Sequence, residues 1–156
     1  MSRLHSFTIT LSNNITEKAG ILYLLENHIG FFQPTRESKK VILSLLEQEH
    51  RFLQAFDLVY IPRLASKNLS DNIINTNIEE LILVELKTTM KFLPQNPKGF
   101  FFGATENEFE FARRLGDKFR FCFVSLNENS KSFSLLTLEE LESIIRNKRI
   151  QYQINL

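Results

Sequence analysis

Glu85 and Lys87 close a run of four apolar residues, Leu81 to Val84, with only Leu86 between them. Side chains alternate along an extended strand, so residues two apart share a face and these two charges are neighbours. A carboxylate and an ammonium at the end of a strand buried on both faces are out of pattern. Asp57 is a second acid of this kind, set within AFDLVYI (residues 55–61) on the face of Val59 and Ile61. Two carboxylates from separate strands, with a lysine beside one of them, suit phosphodiester hydrolysis assisted by a hard divalent cation. Mg2+ prefers oxygen ligands and keeps several waters. It acidifies a bound water and stabilises charge building on phosphoryl oxygens. A nearby lysine orients the attacking water or stabilises the transition state.

A third acid comes from a helix. Residues 36–53 read as one, with Thr35 as N-cap. At about 100° per residue, Val41, Ile42, Leu45, Leu46, Phe52 and Leu53 fall within an arc of roughly 140°, and Glu49 lies near its middle. Glu47 lies on the solvent side. A buried carboxylate needs a cation, a metal or a donor, so Glu49 is a candidate fourth member of the site. The same acid is also compatible with a snorkelling or ion-paired role.

Spacing alone does not decide the matter. An acid–x–Lys tripeptide is expected by chance on the order of once in a chain of this length. Glu37-Ser38-Lys39 is a second copy, at a helix start where an acid simply suits the dipole. On residue types alone, a metal site and a structural ion pair or solvated strand end stand side by side.

The elements that must position these residues follow from periodicity and stop signals. Residues 16–30 read as a helix ending at Gly30, and FFQPTRES as a break before the 36–53 helix. A strand over 55–61 ends at Pro62. A polar connection over 63–79 has room for one short helical turn. The strand over 80–88 is followed by a loop with two prolines, then a helix over 105–115. That helix has Thr105 and Glu108 in capping-box positions and Gly116 as its stop. A strand over 119–126, the turn NENSKS and a helix over 137–149 complete the chain. The order α–α–β–β–α–β–α predicts an α/β fold, a small mixed sheet flanked by helices.

Composition sets the frame. The 156 residues amount to one domain, with N-terminal helices over 1–54, a core over 55–126 and a C-terminal helix over 127–156. The chain is 43% hydrophobic with 15 Phe, enough for a real core. Its net charge of +1 lacks the basic excess of many nucleic-acid binders, so any such contact must use locally gathered cations. The single cysteine, Cys122, excludes an intramolecular disulfide and a cysteine zinc site. No signal-like or membrane-spanning apolar run is present, so the expected setting is cytoplasmic, without membrane contact.

ILVELKTT, then a loop, then ATENEFEFARRLGDKFRFCFV, resembles the PD-(D/E)xK nuclease domains related to restriction endonucleases. The closest subgroup has a strand ending in ExKTT, then an "NE" helix and a Phe-rich strand. The resemblance covers about residues 50–126. It aligns Glu85 and Lys87 with the ExK pair, Asp57 with the acid of the preceding strand, Thr88 and Thr89 with the polar pair, and Asn107 and Glu108 with the helix start. The Pro-Asp dipeptide is absent, Phe56 preceding Asp57, and the 28-residue spacing from Asp57 to Glu85 is long.

The resemblance implies a restriction-endonuclease-like fold and a type II-like deoxyribonuclease that uses Mg2+, with Mn2+ as a substitute, on double-stranded DNA. Metal ligands would be Asp57 and Glu85. So small a chain implies a homodimer or a catalytic subunit with a larger recognition partner, in a restriction or defence system. Candidate DNA contacts are Lys91 and Lys98 after the ExK strand, and Asn107, Arg113 and Arg114 on the following helix. The alternative is an inactive module of the same fold that binds nucleic acid or a protein. A helix-turn-helix at the N-terminus is the weaker reading, because Glu37 and Glu47 dilute Lys39, Lys40 and Arg51.

Overall fold

The computed structural model describes residues 3–66 and 68–156, with the backbone alone for residues 3–14. Five strands among these residues form one mixed sheet in sequential order: β1 (Phe31–Phe32), β2 (Leu58–Tyr60), β3 (Ile82–Thr89), β4 (Phe119–Ser125) and β5 (Ser132–Leu136). β3 and β4 are parallel, and the other neighbours are antiparallel. Among the described residues, five helices flank the sheet: α1 (Arg3–Asn27), α2 (Arg36–Leu45), α3 (Asp71–Asn77), α4 (Glu106–Leu115) and α5 (Leu138–Ile144). The predicted mixed α/β class is observed. No described helix is long and apolar enough to cross a membrane.

Alternation along the strands builds two cores. Val59, Leu83, Phe119, Phe121 and Phe123 face α2, α3, α4 and α5, and six phenylalanines of this layer are fully buried. Leu58, Val84, Leu86, Cys122 and Val124 face the other way, onto Ile21 and Leu24 of α1. Burial of Cys122 pushes its thiol well up, so it serves as a small core residue.

The capped helix over 105–115 is as expected: Thr105 and Glu108 form a reciprocal capping box and Gly116 follows the last turn. Other boundaries differ. α1 begins far upstream of residue 16, in a stretch whose β-branched residues and Asn hide its helical character. The helix expected over 36–53 stops at Leu45. Gln48 N–H donates to Leu43 O at 2.8 Å and Glu47 N–H to Ser44 O at 3.1 Å, with Glu47 at φ +55°. This is a Schellman stop made with Glu where Gly is usual, and a short 3-10 turn over His50–Phe52 follows. The strand over 55–61 contracts to three residues, leaving Asp57 just before it. Two strands went unassigned in the sequence, β1 within the expected break and β5 after the turn. α5 ends at Ile144, short of residue 149, as Ile145 leaves the helix to pack on the core.

Gly30 joins α1 to the sheet at φ +101°, and a Cβ there would stand 2.7 Å from Ile61 O. Its own carbonyl accepts from Ile61 N–H at 2.8 Å. Gly30→Ala is therefore expected to destabilise the fold by about 2 kcal/mol or more, through both backbone strain and the clash. A chemical-denaturation midpoint at or above wild type would contradict this reading.

Candidate active site

Glu85 lies in the middle of the sheet. Its strand is hydrogen-bonded on both sides, and the residue is only 7% exposed. One residue beyond the Leu58–Val84 pair, Asp57 faces it from the start of β2. Here the ladder changes character. Asp57 N–H donates to Val84 O at 2.8 Å, and Leu86 N–H donates to Asp57 Oδ2 at 2.8 Å. A carboxylate oxygen takes the place of a backbone carbonyl, which locks the Asp57 side chain against β3.

Burial and the adjacent Asp57 carboxylate push the Glu85 carboxyl well above its ordinary range; Lys87 pulls the other way but does not prevail. Glu85 Oε1 accepts from Lys87 Nζ at 3.2 Å, whereas the buried Oε2 has no hydrogen-bond partner among the described residues. A buried, unpaired carboxylate oxygen is costly, and this one belongs to a residue that directly adjoins a second carboxylate.

Lys87 has a stronger partner in Glu108, at 2.7 Å. Glu108 divides its two oxygens. Oε2 accepts from Thr105 N–H and Oγ1 at 2.9 and 2.8 Å, completing the α4 cap, while Oε1 accepts from Lys87. Lys87 thereby stays protonated: burial opposes the charge, but Glu85 and Glu108 outweigh it. The capping box thus fixes the ammonium as well as starting the helix.

Two further groups come from helices. Lys39 of α2 donates to Leu53 O at 2.9 Å and Phe56 O at 2.7 Å, holding the chain where it enters Asp57. Burial lowers its pKa, and Asp57 and Glu85 partly restore it. Glu17 of α1 lies within electrostatic reach of Asp57, Lys87 and Lys39; burial and then Asp57 push its carboxyl up. The close approach depends on Gly20, one turn later, where an added Cβ would be 2.4 Å from Thr88 Cγ2.

The sequence candidates therefore separate. Asp57, Glu85 and Lys87 come together. Glu49 does not: it is 57% exposed at its side chain and pairs with Arg51 at 2.7 Å and Arg114 at 3.2 Å. Its place in the apolar arc vanished when α2 ended at Leu45. Arg114 also pairs with Glu110, Arg113 with Glu106, and Asn107 with Arg51 through both its amide oxygen and nitrogen. Arg51 holds the Glu110 carboxyl down, to about 2. Glu49, Arg51, Asn107, Glu110 and Arg114 weld α4 to the 3-10 turn, whereas the Arg113–Glu106 pair stays within α4. Lys91 and Lys98 are exposed and form no ion pair among the described residues.

Glu17, Lys39 and the Lys87 role of Glu108 were missed from sequence. The available signals were an isolated glycine inside a helical pattern, marking close packing, and a capping glutamate with one oxygen to spare.

The donor set fits a hard divalent ion: two adjoining carboxylates, one with an orphaned oxygen. Among the described residues, no three His, Cys, Asp or Glu side chains are grouped so as to hold a metal ion. Two carboxylates completed by water suit Mg2+. Compared with known proteins, the chain matches no protein-family model, no curated protein and no solved structure.

A raised Glu85 means that the folded state keeps a proton which the unfolded chain releases above its ordinary 4.5. The group's contribution to stability is therefore complete below that pH and is lost as pH rises toward the folded value. Without divalent ions, Glu85→Gln should melt about 3–6 °C above wild type at pH 8, with the gap closing toward pH 4.5. Equal or lower melting at pH 8 would mean that Lys87 fully satisfies an ionised Glu85.

Proposed function

We propose that this chain is a divalent-metal-dependent DNA endonuclease of the restriction-endonuclease-like class, working as a homodimer or beside a larger recognition subunit in a restriction or defence system. The observation that carries the reading is Glu85: a carboxyl group buried in mid-sheet, with one oxygen unpartnered among the described residues, against Asp57 and beside a lysine held protonated. Asp57 and Glu85 would hold Mg2+ or Mn2+. Such an ion, when bound, would supply charge neutralisation at the scissile phosphate and a water of lowered pKa.

The chain's own groups do the rest. Lys87, cationic and anchored by Glu108, is a hydrogen-bond donor rather than a proton acceptor. It orients the attacking water or stabilises charge on the phosphoryl oxygens. Glu108 positions Lys87 and Lys39 positions Asp57. Glu17 stands within electrostatic reach of these groups, and Lys91 and Lys98 offer cations for backbone phosphates.

The rival reading, an inactive binding module, takes the Lys87–Glu85 contact as a finished ion pair. Glu108 already serves Lys87 at the shorter distance, so that reading leaves the Glu85 Oε2, unpartnered among the described residues, without purpose.

Plasmid cleavage with Mg2+ or Mn2+ tests the proposal, with candidate recognition subunits added if the chain alone is silent. Asp57→Asn, Glu85→Gln and Lys87→Ala should each lose about 100-fold or more. Glu49→Gln should cleave like wild type. Full activity in Lys87→Ala, or a loss in Glu49→Gln matching that of Asp57→Asn, would overturn the site.

A further inference from the structure

Between β3 and α4 lies the segment 90–104, which carries Phe100-Phe101-Phe102 between Gly99 and Gly103. Phe100 and Phe102 turn inward. Each ring centroid lies 5.0 Å from that of Phe123, in edge-to-face contact. Phe101 projects from between them and is 93% exposed. Its support is well anchored. Leu93 is buried and its N–H donates to Ser130 Oγ at 3.0 Å, and Asn96 Nδ2 donates to Phe123 O at 2.9 Å. The exposed ring thus stands on a braced platform, with its apolar faces in water.

The platform stands beside the site. Phe123 is the register partner of Lys87 in the parallel β3–β4 pair, and alternation puts both on one face. The rings that hold Phe101 therefore rest on the strand next to Lys87. Lys98 lies three residues before Phe101, and Lys91 is the second residue of the same segment. An exposed aromatic face, with the exposed Lys98 three residues before it in the chain, suits a nucleotide: a base to stack on and a phosphate to neutralise. In a continuous duplex both faces of each base are already covered by neighbours.

We propose that Phe101 stacks on a nucleobase next to the cleaved phosphate, and that the substrate is therefore DNA with an unpaired base at that point. This rests on the nuclease reading and names its substrate class. Phe101, a binding residue by this account, touches no described core residue, so its replacement leaves the fold intact.

The test is fluorescence anisotropy with labelled DNA in Ca2+, comparing a single strand, a continuous duplex and a duplex with a central unpaired bubble. Wild type should bind the single strand and the bubble more tightly than the duplex. Phe101→Ala should lose about 5- to 100-fold on those two and little on the duplex, Phe101→Leu should resemble Phe101→Ala, and Phe101→Trp should restore binding. Unchanged binding of all three DNAs by Phe101→Ala would overturn the proposal. So would a dimer that becomes monomeric in Phe101→Ala by light scattering without altered DNA selectivity, since Phe101 would then cover a second copy. If wild type bound none of the three DNAs, the stacking proposal would fall, while the nuclease reading would still be judged by cleavage with a recognition subunit added. Cleavage in Mg2+ separates the two claims: base-selective binding without cleavage refutes the nuclease alone, and cleavage indifferent to Phe101 refutes the stacking alone.

Discussion

Taking a carboxylate out of water costs several kcal/mol unless charges and donors around it compensate, and Glu85 sets that condition for its neighbours. Lys87 answers one oxygen only. Lys87 is itself mostly buried and needs Glu108, which obliges α4 to begin at Thr105 with its capping box turned toward β3. Asp57, on the other side, is locked by Leu86 N–H, and the chain leading into it is tied down by Lys39. Four elements are thus placed by a single mid-sheet acid, and α1 closes over the same strand through Gly20.

The surrounding fold supplies rigidity where the acid supplies strain. Six fully buried phenylalanines sit on the site's face of the sheet, and Phe52 stacks on Phe111 with ring centroids 4.5 Å apart. Above that pair, Arg51 and Arg114 lie over the Phe52 ring and reach Glu49 and Glu110. Exposed pairs of this kind contribute little singly, and their value lies in a network with fixed geometry. The layer keeps α4, and hence Glu108, in register with Lys87. A protein that buries an incompletely paired acid gives up stability at one point, the usual mark of a site organised for binding or chemistry.

Strong local signals were legible in the sequence. The apolar run before Glu85 marked β3, and Thr105, Glu108 and Gly116 marked α4 at both ends. Alternation put Glu85 and Lys87 on one face, and Asp57, just before the short preceding strand, proved to be a neighbour of Glu85. What failed depended on information held elsewhere in the chain. Glu49 was assigned through a helical wheel that assumed α2 continued, and the Schellman stop uses Glu47, which carries no turn signature. β5 owes its existence to the exposed side of β4 rather than to its own short sequence, SFSLL. Glu17 looks like an ordinary surface charge until α1 is laid across Thr88. Of the cations proposed for DNA, Arg113 and Arg114 proved to be neutralised by nearby acids, a pairing that i,i+4 spacing indicated for Arg114 alone.

The claim at the centre is that Asp57 and Glu85 share a divalent cation, and crystals soaked in Mn2+ test it most directly. Anomalous scattering should show one peak between the two carboxylates, with Lys87 retained by Glu108. No peak there, with Glu85 still bonded to Lys87, or a peak at the Glu49 and Glu110 surface instead, would contradict the account.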